Sequence, residues 1–139
     1  MCLTLAEMIA TARSQAREIS PAQAAEADNH GELDLLVDVR EPAEYQESHV
    51  PRAINIPRGL LELRADPASP AADEALSADR SARILVYCTK GLGARSLLAA
   101  QTLTDMGYEQ VDVLGGGLMA WAEAGLPIED ASQPATRMT

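Results

Sequence analysis

The chain has 139 residues, a formal net charge of −10 at pH 7 and a pI near 4.5, so it reads as one domain with no basic stripe for nucleic acid and no patch for an anionic membrane. Hydrophobic residues make up 47% of it, with no Phe and one Trp, so Leu, Val, Ile and Ala must build the core. No run reaches the roughly 18 apolar residues of a membrane span, and the amphipathic start lacks a signal-peptide apolar stretch.

The pattern predicts a helix over residues 3–17, with Leu5, Met8, Ile9, Ala12 and Ala16 near one face. Ile19 falls in a short strand. Ser20-Pro21 opens a second helix, with Ser as N-cap, Pro at the first position and Gln23 at the third, and Asn29-His30-Gly31 stops it. Leu33 and the run Leu35 to Val39 read as a strand covered on both faces. Glu41-Pro42 starts a short helix through Glu47, and Ala53 to Ile56 is another strand, closed by Pro57. Gly59 to Arg64 makes a helical turn or two. Residues 65–82, rich in Ala, Pro, Asp and Ser, form a surface connection with a helix near Pro70 to Leu76.

The apolar run Ile84 to Tyr87 is a buried strand ending at Cys88. A helix from Ala94 to Met106 follows, stopped by Gly107. Val111 to Leu114 is the last strand. Gly115-Gly116-Gly117 turns into a helix that carries Trp121 in the core, and Gly125 ends it. This gives three parts: an N-terminal helical extension at 1–18, a domain at 19–129, and a flexible tail at 130–139. Strands alternating with helices imply an α/β fold, a central parallel sheet of about five strands with helices on both faces. Such sheets bind ligands at the C-terminal ends of their strands, where Cys88 lies.

Cys88 is the chemical centre of the sequence. A thiol between a strand and a helix N-terminus sits where backbone N–H groups and the helix dipole favour a thiolate. Lys90, the only lysine, falls in the same loop. Two cysteines make no disulfide framework, which points to a reduced, cytoplasmic setting. Cys2, Cys88, His30 and His49 lack metal-ligand spacing.

Three stretches resemble one family, the rhodanese-like sulfurtransferases in their single-domain form. In LLVDVREPAEYQESHVPRAINIP, spanning Leu35 to Pro57, the residues Asp38, Arg40, Glu44, Tyr45, His49, Val50, Ala53, Asn55, Ile56 and Pro57 match the family's pattern. VYCTKGLGARS resembles its active-site cysteine loop. VDVLGGGLMAWAEAGLPIE resembles its closing Gly-Gly, Trp, Gly and Pro motif. Residues 89–94 make the loop between Cys88 and Arg95 longer than is usual in single-domain members and in related phosphatases of the same fold. A longer loop would widen the pocket for a bulkier donor or a protein thiol, or loosen the ring of N–H groups around the sulfur.

The resemblance implies a rhodanese-like fold and sulfur transfer through a Cys88 persulfide. The donor would be a small sulfur compound such as thiosulfate or a persulfide, and the acceptor a thiol, a protein thiol or cyanide. The chemistry needs neither metal nor organic cofactor. Thr89, Lys90, Gly91, Leu92, Gly93, Ala94 and Arg95 would form the substrate-binding loop. Lys90 and Arg95 are candidates to hold an anionic donor, although Arg95 could equally pair within the fold. Gly91 and Gly93 would allow close backbone approach to the sulfur. Asp38 and Arg40 are supporting residues, better placed to bond neighbouring loops than to act as base. His49 reads as a packing histidine, and Cys2 as a weak candidate for a resolving thiol. Two alternatives stand beside this reading: a rhodanese-fold interaction or sensor module, and a phosphatase or arsenate reductase of the same fold. The N-terminal helix could pack on the domain or form a homodimer face.

Overall fold

The computed structural model describes residues 2–90 and 93–130. Helix α1 (Leu5–Gln15) begins at Thr4, whose hydroxyl accepts from the Glu7 N–H at 3.1 Å while the Glu7 carboxylate accepts from the Thr4 N–H at 2.8 Å. Strand β1 (Arg17–Ile19) leads to α2 (Pro21–Asn29), which opens on the same reciprocal cap between Ser20 and Gln23. Then follow β2 (Leu35–Asp38), α3 (Pro42–Glu47), β3 (Ser48–His49) and β4 (Ile54–Asn55). A 3-10 turn over Arg58–Leu60 runs into α4 (Leu61–Ala65), and α5 (Glu74–Ser77) is capped by the Asp73 side chain. The chain closes with β5 (Arg83–Tyr87), α6 (Ala94–Asp105), β6 (Gln110–Leu114), α7 (Gly117–Glu123) and β7 (Glu129–Asp130).

Five strands form one parallel sheet in the order β1-β6-β5-β2-β4. The apolar strands are buried on both sides, and their side chains alternate between two cores. Leu36, Leu85 and Tyr87 face one core with Ala24 and Ala27 of α2 and Leu118 and Trp121 of α7. Val37, Ile84 and Val86 face the other with Leu61, Leu76, Ala99 and Leu103. Cys88 continues the second set. Helix α1 packs beside α6, with Ile9 and Ala12 against Leu97, Ala100 and Val113.

The connection leaving β2 runs toward β4, whereas the connection leaving β5 runs the other way, toward β6. Neighbouring strands whose exits diverge leave a crevice at their C-terminal ends. Cys88 follows β5 and Arg40 follows β2, so the divergence sits between them.

The structure differs from the sequence reading at several edges. Helix α1 stops at Gln15 because β1 already starts at Arg17. Strand β2 ends at Asp38, although the Val39 N–H still bonds the Tyr87 carbonyl at 3.1 Å. The surface connection holds its helix later than expected, at Glu74–Ser77, where Asp73 supplies the cap. Asp130, read as the start of a flexible tail, is instead paired: Glu129 and Asp130 lie antiparallel to His49 and Ser48 in a second small sheet. Residues 131–139 lie outside the described residues.

Candidate active site

The thiol lies on the floor of a cavity of about 70 Å³, lined among others by Cys88, Lys90, Gly93, Ser96, Gly116 and Gly117. Cys88 is only 2% exposed and lines this cavity. The position follows from the alternation along β5, which turns residue 88 toward α6. Gly93 then adopts φ +70° and starts α6, a conformation that costs glycine little. The first turn of α6 thereby brings Ser96 under the loop. Its hydroxyl lies 3.3 Å from Cys88 Sγ and 3.2 Å from the Gly93 carbonyl. Its single proton can serve either oxygen or sulfur, so Ser96 is a ready donor to a sulfur anion. The sequence places Ser96 beside the motif but does not reveal this contact, which forms only once the first turn of α6 folds back over Cys88.

The backbone of Cys88 is held from the opposite side by α7. The Leu118 N–H donates to the Cys88 carbonyl at 2.8 Å, and the Met119 N–H donates to the Thr89 carbonyl at 3.0 Å. Gly117 makes this approach feasible. A Cβ there would stand 2.6 Å from both of those carbonyl oxygens, and its φ is +62°. Gly117→Ala is therefore expected to push the β5–α6 loop off α7, at about 1–3 kcal/mol in stability. Urea unfolding checks this, and the alkylation rate of Cys88 should change with it.

The residues named from sequence separate into two groups. Cys88, Lys90 and Gly93 line the cavity together. Thr89 and Arg95 face a different neighbour, Glu44 of α3. The Arg95 guanidinium donates through Nη1 to Glu44 Oε1 at 2.7 Å and through Nη2 to Oε2 at 3.3 Å. This is the internal pairing that sequence left open for Arg95. Ala94 opens α6. Gly91 and Leu92 lie outside the described residues.

The Arg95 hydrogen bond holds the Glu44 carboxyl below its ordinary range. Burial opposes that shift, and the Glu41 N–H adds to it. A carboxyl with a lowered folded value contributes stability that is fully present above its ordinary value of 4.5 and is lost as pH falls below that and through the lowered folded value. Both side chains are more than a third exposed, so the pair is expected to contribute no more than about 1 kcal/mol. Glu44→Gln should lower Tm slightly at pH 7, and the difference should close on acidification. Melts at a series of pH values check this.

Asp38 and Arg40 form the rigid corner beneath the loop. Asp38 is fully buried and Arg40 is 4% exposed. The guanidinium donates from Nε to Asp38 Oδ1 at 3.0 Å and from Nη2 to Oδ2 at 2.7 Å, and Nη2 also reaches the Ser48 carbonyl. Asn55 donates to the carbonyls of Asp38 and Arg40 at 3.0 and 2.9 Å. Tyr87 lies beside the pair, its phenol pushed up by burial and by the Asp38 carboxylate, and its oxygen accepts from the Val50 N–H at 3.0 Å. His49 stacks on Tyr45 with ring centroids 3.8 Å apart. Its Nδ1 meets the Tyr45 carbonyl at 2.8 Å and its Nε2 meets Glu129 at 3.2 Å, so it fastens β7 to β3. Cys2 is exposed and precedes α1. Among the described residues, no three His, Cys, Asp or Glu side chains converge as a metal-ligand set. Nor is any helix among them long and apolar enough to cross a membrane.

A buried cysteine at the end of a central parallel strand, over a helix N-terminus, agrees with the comparisons to known proteins. The family model for the rhodanese-like domain matches residues 20–124. This chain belongs to the rhodanese-like domain family. A sulfurtransferase of Allochromatium vinosum is 38% identical over 94 residues, spanning 68% of this chain and 77% of that protein. A solved structure from Rhodopseudomonas palustris, of unknown function and described as a possible tyrosine phosphatase, is 35% identical with a TM-score of 0.82. It covers 93% of this chain and 96% of its own. The human single-domain sulfurtransferase TSTD1 is 27% identical with a TM-score of 0.67, covering 78% of this chain and 96% of its own. The five-stranded parallel sheet is thus a rhodanese fold. The family-matched segment begins after α1 and β1.

Proposed function

We propose that this rhodanese-like protein is a sulfurtransferase that carries sulfane sulfur on Cys88. The observation that carries the reading is the thiol itself, buried at the floor of a small cavity with the Ser96 hydroxyl at 3.3 Å and Lys90 on the lining. The Cys88 thiolate attacks the outer sulfur of a donor such as thiosulfate. A bond forms between Sγ and that sulfur while the bond to the sulfonate sulfur breaks, and sulfite leaves with the electron pair. An acceptor thiolate then attacks the outer sulfur of the persulfide, and Sγ departs as thiolate. No redox partner is required, because the sulfane sulfur is passed on at constant oxidation level.

The cavity suits this chemistry better than a large substrate. At about 70 Å³ it admits a few water-sized groups, enough for the reacting end of a donor. Lys90 supplies positive charge for an anionic donor. Ser96 offers a hydrogen bond to the outgoing or incoming sulfur anion, worth about 1.5–3 kcal/mol for a charged acceptor. The acceptor would be a small thiol or an exposed protein thiol.

The Rhodopseudomonas palustris neighbour favours a second reading, a phosphatase of the same fold. That chemistry needs an arginine presented to the phosphoryl oxygens. Arg95, the arginine that follows the loop, is engaged with Glu44 instead. The two readings separate in one assay. Thiocyanate formation from thiosulfate and cyanide, with no phosphate release from an aryl phosphate, is the expected result. Phosphate release with no thiocyanate would replace the sulfurtransferase reading.

A further inference from the structure

The thiol cavity has walls that the family-matched segment does not supply. Arg13 and Glu18 line it together with Cys88 and Lys90, and both precede residue 20, where that segment begins. Arg13 comes from the last turn of α1, next to Ala12, which is 1% exposed against α6. Glu18 comes from β1, where it pairs in register with Val113, another lining residue. The Arg13 guanidinium donates through Nη1 to Glu18 Oε1 at 3.0 Å. Two elements that precede the family-matched segment, α1 and β1, therefore converge on the thiol pocket, where an ion pair joins Arg13 to Glu18.

Charge makes this placement significant. The chain carries 21 acidic residues against 11 basic ones, so most of its surface repels an anionic donor. Among the described residues, the ionisable lining groups other than the thiol are two cations, Arg13 and Lys90, and one carboxylate, Glu18. A local excess of positive charge in a narrow cavity on a negative protein concentrates small anions where the field is focused. Glu18 acts in two opposing ways: it orients Arg13 and it cancels part of that charge.

We propose that Arg13, presented by α1 and oriented by Glu18, is a specificity-determining residue that selects anionic ligands for the Cys88 cavity. The proposal deepens the sulfurtransferase reading and rests on it for the class of substrate, an oxyanion-bearing sulfur donor such as thiosulfate. It assigns the N-terminal extension a part in the site beyond packing.

The test compares two alkylating probes at Cys88, anionic iodoacetate and neutral iodoacetamide, with the modified peptide identified by mass so that Cys2 is counted separately. The ratio of the two rates reports charge selection at the cavity and does not depend on sulfur transfer. Arg13→Ala is expected to lower the iodoacetate-to-iodoacetamide ratio about five- to tenfold. Arg13→Lys should keep most of it, and Glu18→Gln should raise it about twofold or more. In parallel, Arg13→Ala should raise KM for thiosulfate with a smaller change in kcat. A ratio unchanged within twofold in an Arg13→Ala protein whose melting curve matches the wild type would overturn the proposal. A lowered ratio in a protein that accepts no sulfur from thiosulfate would leave Arg13 selecting anions while removing the sulfurtransferase reading, so the two failures are distinguishable.

Discussion

Replacing Cys88 with Ser is expected to abolish sulfur acceptance, by at least about 10³-fold, while leaving the fold intact. The two side chains have nearly the same shape, so the packing of residue 88 against Val86 and Ala99 is preserved. A buried hydroxyl needs a hydrogen-bond partner, and Ser96 Oγ, 3.3 Å from the present sulfur, is already in place. The stability change should therefore stay within about 1 kcal/mol. An alcohol does not ionise near neutral pH and cannot form a persulfide, so chemistry is lost at the reacting atom alone. Thiocyanate release by the variant with a wild-type melting curve is the measurement. Substantial residual turnover would place the reacting sulfur elsewhere, with Cys2 as the other thiol in the chain.

The largest expected stability effect lies at Asp38. Its carboxylate is the charged partner of Arg40, and both are buried. Asp38→Ala would leave a guanidinium in the interior with the Ser48 carbonyl still accepting from it. An uncompensated buried charge costs about 3–5 kcal/mol, against roughly 5–15 kcal/mol for the whole of a typical domain. A fall in Tm of roughly 10–20 °C is expected. The effect should spread beyond the ion pair, because Arg40 ties β2 to β3 through Ser48 and Asn55 ties β2 to β4. Replacing both charges together, Asp38→Leu with Arg40→Met, should cost less than Asp38→Ala alone, since no lone charge remains. Urea unfolding of the three proteins checks the order. A double variant less stable than Asp38→Ala would mean that geometry, not charge, dominates this corner.

Much of this architecture was legible from local pattern. Continuous apolar runs marked β2, β5 and β6, since strands covered on both faces need no polar alternation. Ser20-Pro21 with Gln23 announced α2 because a capping box is written within four residues. The small sheet of β3 and β7 was not legible. Two-residue strands carry no periodicity, and their pairing joins positions 49 and 129 through the His49–Glu129 contact. The tail reading of Asp130 failed for that reason.

The site divides in the same way. Cys88 could be found because its position between a strand and a helix is a local fact. The engagement of Arg95 with Glu44 crosses 51 positions, and sequence could offer only the alternatives. Arg13 and Glu18 gave no local signal at all. Their convergence on the thiol depends on β1 joining the sheet beside β6, which brings residues from the chain's first elements to the end of β5.

Intact-protein mass spectrometry after incubation with thiosulfate, on the wild type and Cys88→Ser, tests the central claim most directly. Sulfur transfer through Cys88 predicts a gain of one sulfur atom in the wild type, removed by cyanide and absent from the variant. No gain from thiosulfate or from a small persulfide donor, with Cys88 still open to alkylation, would contradict it.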